Sequence, residues 1–122
     1  MKFREFKVCS GKKVLAGKNS EQNEHLMREF LETGRVILHT ASPGSPFCIF
    51  LEEPDSKDIR EAAIICAKYS KEWKTKKSDM KVHVFRGSDA FKESSMKEGE
   101  FGVKNFKSVI LNKQEIEEYN AS

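Results

Sequence analysis

"RVILHTASPGSPFCIFLEE", residues 35–53, is the stretch on which the fold turns. "RVILHT" and "FCIFLEE" are dense in β-branched and aromatic residues, the composition of strands packed into a core. The linking "ASPGSP" forbids helix. Pro43 and Pro46 lack amide donors and fix their φ angles, and Gly44 frees the backbone to turn. Two strands joined by a short loop are therefore predicted, with Pro54 closing the second.

Working toward the amino terminus, "NSEQNEHLMREFLETG" places Leu26, Met27, Phe30 and Leu31 at helical spacing. Asn19 or Ser20 can cap its start, and Gly34 can supply the left-handed residue that ends it. Before it, "KFREFKV" and "KKVLAG" alternate apolar with charged residues around the turn-forming "CSGK", which predicts a hairpin. Toward the carboxyl terminus, a second helix is expected from Ser56 or Asp58 through Trp73. Its stripe of Ile59, Ala62, Ala63, Cys66, Tyr69 and Trp73 is small enough in the middle to lie close on a sheet. "MKVHVF" and "FKSVIL" read as strands. "RGSDAFKESSMKEGEFG" between them reads as loop with a short strand near Phe101, and Asn112 can cap one last helical turn. The fold class is α+β, with two helices on a mixed, largely antiparallel sheet. One domain spans residues 1–122, with its core at 3–111 and a tail at 112–122.

Composition narrows the function. At 122 residues and 38% apolar content, with nine Phe, the chain can bury a core and is not of the disordered class. No apolar run approaches the ~20 residues of a membrane span, and "MKFREFKV" has no apolar leader segment, so a cytoplasmic protein is expected. Cys9, Cys48 and Cys66 are odd in number and lack zinc spacing, which favours buried reduced thiols over disulfides or a metal site. No cofactor is called for. Net charge is only +3 but unevenly laid out. Residues 1–20 carry six Lys/Arg against one acid, residues 21–67 four against nine, and residues 68–107 eleven against six. Two basic segments flank an acidic one, the layout of a polyanion-binding patch if the fold unites the flanks.

Individual motifs are weaker. "GKNSEQNEHL", residues 17–26, is not a phosphate loop of the nucleotide-binding kind. Five residues rather than four separate Gly11 from Gly17, and Asn19 stands where a hydroxyl should hold magnesium. It is a glycine bend into an Asn-capped helix, and a helix start beside Lys18 attracts phosphate. His39 ends a strand and feeds Thr40, Ser42 and Ser45, residues suited to phosphate contact; a catalytic Ser/His or Cys/His pair would need a third member that is not evident. Tyr69 and Trp73 fit the core better than a stacking platform, while Lys71, Lys74, Lys76 and Lys77 cluster behind them. "KESSMKEGEFGVKNFK" interleaves lysines with Phe101 and Phe106, a generic composition of single-strand binders.

Taken in order, these elements are more specific. "GKNSEQNEHL", then "LHTASPGS", then "AAIICAKYSKEWK", then "MKEGEFGV…FKSVIL" resembles the NFACT-R domain over about residues 3–111. That is the RNA-binding module near the carboxyl end of ribosome quality-control factors of the RqcH/NEMF type, found also as a standalone domain. The resemblance implies a non-catalytic domain that contacts tRNA or ribosomal RNA, with possible ribosome association. It does not extend to the larger factors' tail-adding role. The matching positions include Gly17, Lys18, Asn19, Asn23, His39, Pro43, Gly44, Ser45, Tyr69, Ser70 and Lys71, with Lys92, Lys97 and Gly99 in the late basic segment. Three positions depart from the pattern: Ile37 where an aromatic is usual, Pro46 in place of a second His, and Glu98 in place of a proline.

The resulting candidate set is Lys18, Asn19, Asn23, His39, Ser42, Gly44, Ser45, Lys71, Lys92 and Lys97. Lys18, Lys71, Lys92 and Lys97 would neutralise phosphates; Asn19, His39 and Ser45 would hydrogen-bond the backbone or a base. Lys18, Asn19, His39 and Ser45 should then share one surface. A DNA-binding or protein-adaptor domain is the alternative, and a nucleic-acid enzyme using His39 a third.

Overall fold

The computed structural model describes residues 1–119, so the last three residues of the tail lie outside it. Strands β1 (Arg4–Lys7) and β2 (Lys13–Ala16) form the expected hairpin, followed by helix α1 (Ser20–Phe30). Strands β3 (Val36–Thr40) and β4 (Cys48–Phe50) flank the proline loop. Helices α2 (Ser56–Lys68) and α3 (Lys71–Lys76) precede β5 (Met80–Arg86). A small hairpin, β6 (Ala90–Phe91) with β7 (Gly102–Val103), leads to β8 (Lys107–Leu111) and α4 (Lys113–Glu118), which Asn112 caps.

The six-stranded sheet runs β1-β2-β4-β3-β5-β8. Every pairing in it is antiparallel, so the mixed character expected from sequence is absent among the described residues. Directly opposed residues project to the same side of an antiparallel pair, so the register assigns the two faces. Ala16, Cys48, Leu38, Val82 and Val84 share one side with α2, where buried Ala62, Ala63, Cys66 and Ala67 bring helix and sheet together. Leu15, Ile49, Ile37 and Phe85 share the other, where they meet Leu26 and Met27 of α1. Ile37, the departure at the usual aromatic position, is fully buried there. Two rows of this second face stay at or near the surface: His39, His83 and Ser108, then Lys81 and Ile110.

Three local expectations change. Helix α2 does not run through to Trp73. The Ser70 hydroxyl accepts from the Trp73 amide (3.1 Å) and donates to the Ala67 carbonyl (2.6 Å), so it ends one helix and caps the next. That break buries Trp73 but turns Tyr69 outward. Helix α1 stops at Phe30, and Glu32, not Gly34, takes the left-handed conformation (φ 64°). Cys48 and Cys66 are buried as expected, whereas Cys9 is exposed.

Strand β8 is an edge of the sheet. Arg60 of α2 donates to the Ile110 carbonyl there (3.1 Å) while its guanidinium grips Glu115 at 2.7 Å.

Candidate nucleic-acid interface

The site is built around Asn23. Its side chain is buried; Oδ1 accepts from the Phe47 amide (3.2 Å) and Nδ2 donates to the Ser45 carbonyl (3.4 Å). Gly17 is glycine because a Cβ would collide with that same carboxamide. Ser45, also buried, accepts from the Thr40 amide (3.0 Å) and donates to the Pro46 carbonyl (3.2 Å). Gly44 lies at φ +97°, where a side chain is strained, and its carbonyl accepts from the Lys71 amide at 2.9 Å. The proline loop is thus pinned between the start of α1 and the start of α3.

These bonds correct part of the sequence reading. Asn23 and Ser45 spend their polar atoms holding the loop, which makes them positioning residues rather than ligand donors. Lys92 is likewise taken. Its side chain is 10% exposed, and its ammonium lies 2.8 Å from Glu24 and donates to the carbonyls of Lys97 and Glu100. Glu24 also accepts from Arg28 and from the Gly99 amide (2.8 Å). Burial alone would raise the Glu24 carboxyl, but Lys92, the Gly99 amide and Arg28 hold it down at about 2. Lys92 therefore fastens the 92–101 loop onto α1 and has no ammonium proton to spare for phosphate. Ser42 gives its carbonyl to the Thr40 hydroxyl (2.7 Å) and lines neither cleft described below.

The first cleft, about 220 Å³, opens at the start of α1. Arg4, Lys18 and Lys74 enter it, with Asn19, Tyr69 and Pro46, and no carboxylate lines it. Asn19 caps the helix by accepting from the Gln22 amide (2.9 Å), leaving the positive end of the helix facing the space. The Arg4 guanidinium lies 4.0 Å from the Tyr69 ring centre. Among the described residues, none of the three cations has a carboxylate within ion-pair distance. Lys71 sits at the edge, its Cβ against Gly44 and its side chain exposed.

A second cleft, about 500 Å³, shares Ser20, Asn23, Gly44 and Ser45 with the first. His39, His83, Phe47, Phe101, Phe106 and Lys97 line it, and Glu98 and Glu100 stand at its rim. The His39 ring packs on Phe47 (centres 4.3 Å apart), and its Nδ1 lies 2.7 Å from the Thr40 carbonyl, which makes Nδ1 the protonated nitrogen. Burial, aided by His83, lowers its pKa to about 4, so the ring is neutral near pH 7. Lys18 and Asn19 thus line one cleft and His39 the other, with Ser45 in the wall between.

Sequence reasoning missed Arg4, Tyr69, His83 and Phe106 as site residues. Arg4 lay in the basic first block and Phe106 in the lysine-aromatic stretch. Tyr69 was hidden by the assumption of an unbroken helix. His83 had one available signal, its cross-strand partnership with His39, which needs the register.

The largest concavity, about 1070 Å³, is elsewhere, between α2 and the β5–β8 edge. Asp55, Asp58 and Glu61 line it with apolar Ile59, Ile64 and Val109, and it holds none of the candidate residues. Lys57, Arg60 and Lys107 stand in the same lining, so unlike the first cleft its cations are matched in number by acids.

Residues 2–105 match the family described as NFACT protein RNA binding domain. Over 67 residues the chain is 42% identical to the Rqc2 homolog RqcH of Bacillus subtilis (strain 168); the match covers 54% of this chain and 12% of that protein. The fold superposes with TM-score 0.80 on the carboxyl-terminal part of the fibronectin/fibrinogen-binding protein from Streptococcus suis, at 19% identity over 92% of this chain and 45% of that one. The family match spans most of the chain and leads to one statement: this chain belongs to the NFACT protein RNA binding domain family.

Proposed function

We propose that the domain binds RNA without catalysing a reaction on it, and that its ligand is a tRNA or ribosomal RNA met during ribosome quality control. The observation that carries the reading is the acid-free cleft of Arg4, Lys18 and Lys74 at the start of α1. Unpaired cations converging on the positive end of a helix form a seat for a phosphodiester. The match to RqcH supports the quality-control setting, though the chain spans a small part of that protein. A non-catalytic role is supported by His39, whose Nδ1 is spent on a backbone carbonyl and whose ring is packed on Phe47.

The test is a titration against tRNA, an unstructured RNA and duplex DNA at two salt concentrations. RNA should bind with salt-dependent affinity and be preferred to DNA. Lys74→Ala and Arg4→Ala should each weaken binding similarly across RNAs and make the salt slope shallower by roughly one unit. Equal affinity for duplex DNA would favour a DNA-binding domain. Absence of nucleic-acid binding even at low salt would sink the proposal and turn attention to a protein partner.

A further inference from the structure

The second cleft holds more aromatic surface than a phosphate site uses. The His83 and Phe106 rings are stacked, with centres 4.0 Å apart and planes at 28°. Phe106 is 49% exposed, so the stacked pair is open to a further ring. Deeper in, Phe47 meets Phe101 edge to face (5.8 Å, 85°) and packs on His39, so the floor is rigid and apolar. Burial lowers the pKa of both imidazoles, with Lys81 adding to the shift at His83, which favours their uncharged forms beside an apolar guest. The wall between this cleft and the basic one is only Ser20, Asn23, Gly44 and Ser45, shared by both. On the aromatic side two carboxylates, Glu98 and Glu100, outnumber the single Lys97 ammonium, which disfavours phosphate there relative to the acid-free cleft next door. An anionic backbone thus has one compartment and a flat ring the other.

Building on the RNA-binding reading, we propose that the aromatic cleft receives an unpaired base of the bound RNA, stacked on the His83–Phe106 pair, with the adjoining phosphate held by Arg4, Lys18 and Lys74. A base inside a duplex offers no free face, so the site selects looped or single-stranded segments over paired ones. The occupant is fixed by charge complementarity: a lone aromatic peptide side chain would fill the ring site but leave three cations unanswered.

The experiment uses a short single-stranded RNA carrying 2-aminopurine and the same strand in a blunt duplex. Binding of the single strand should quench the 2-aminopurine fluorescence, and the duplex should bind more weakly. Phe106→Ala should abolish the quench and weaken single-strand binding roughly tenfold, while leaving duplex binding unchanged. Phe106→Tyr should restore both, which separates stacking from a folding defect; Phe106 is exposed enough for either variant to fold. Salt-dependent RNA binding with no quench, or equal affinity for strand and duplex, overturns the base site while the RNA reading stands. Absence of RNA binding at low salt overturns the RNA reading first and the base site with it.

Discussion

Two groups of polar residues stand within one loop's width of each other and behave oppositely. Asn23, Ser45, Glu24 and Lys92 are turned inward, and each has its polar atoms matched by partners in the protein. Arg4, Lys18 and Lys74 are turned outward and have no acidic partner among the described residues. By residue type alone, Lys92 of the first group cannot be told from Lys18 and Lys74 of the second. The difference teaches that a basic or amide residue in a candidate site counts toward binding only when the fold has left its polar atoms free.

The largest test of that division is Lys92→Met. It leaves Glu24 partly buried with one cation fewer, and should lower stability by about 3 kcal/mol while the folded fraction keeps its RNA affinity. Denaturant unfolding beside an RNA titration checks both halves; a loss of affinity without loss of stability would move Lys92 into the outward group. The pH dependence of His39 comes next. Its folded pKa, about 4, lies below the ordinary 6.5. The unfolded chain therefore binds the proton more readily, and this contribution to stability is complete above about 6.5 and lost as pH falls toward 4. The loss is on the order of 2–3 kcal/mol. Unfolding across that window should be flatter for His39→Gln than for the wild type. Asn23→Ala removes two bonds to the proline loop and should cost about 2 kcal/mol, read as a drop in the unfolding midpoint. Smallest in stability is Arg4→Ala, within about 0.5 kcal/mol of the wild type, although its binding falls. If Arg4→Ala destabilises as Asn23→Ala does, the two groups are not distinct.

Much of the fold was legible because its signals are local. Dense β-branched and aromatic residues marked β3 and β4, alternation marked the first hairpin and β5, prolines marked the loop, and Asn19 and Asn112 marked two helix starts. What escaped depends on competition between neighbours. Nothing in "AKYSKEW" taken as helical periodicity shows that the Ser70 hydroxyl wins the Ala67 carbonyl and breaks the stripe, so Tyr69 was placed in the core. The placement of Lys18, Asn19, His39 and the glycine-containing loop around two adjoining clefts was legible in part from their order in the sequence. Its division into free and occupied residues was not, because Lys92 meets Glu24 across 68 positions and His83 meets His39 across 44. Long-range register is the physical information that a single sequence read by local pattern leaves out.

The outer edge of the sheet carries a consequence of a different kind. Among the described residues, strand β8 has no strand on its outer side, and its Ile110 is 57% exposed, the kind of border onto which another chain could zip. Arg60 occupies the Ile110 carbonyl and is itself anchored by Glu115, while Lys107 adds charge to the same strand. One guanidinium thus acts as a stopper against runaway strand addition. A domain that also exposes Phe106 has particular need of such a guard, since two sticky surfaces would otherwise compound each other.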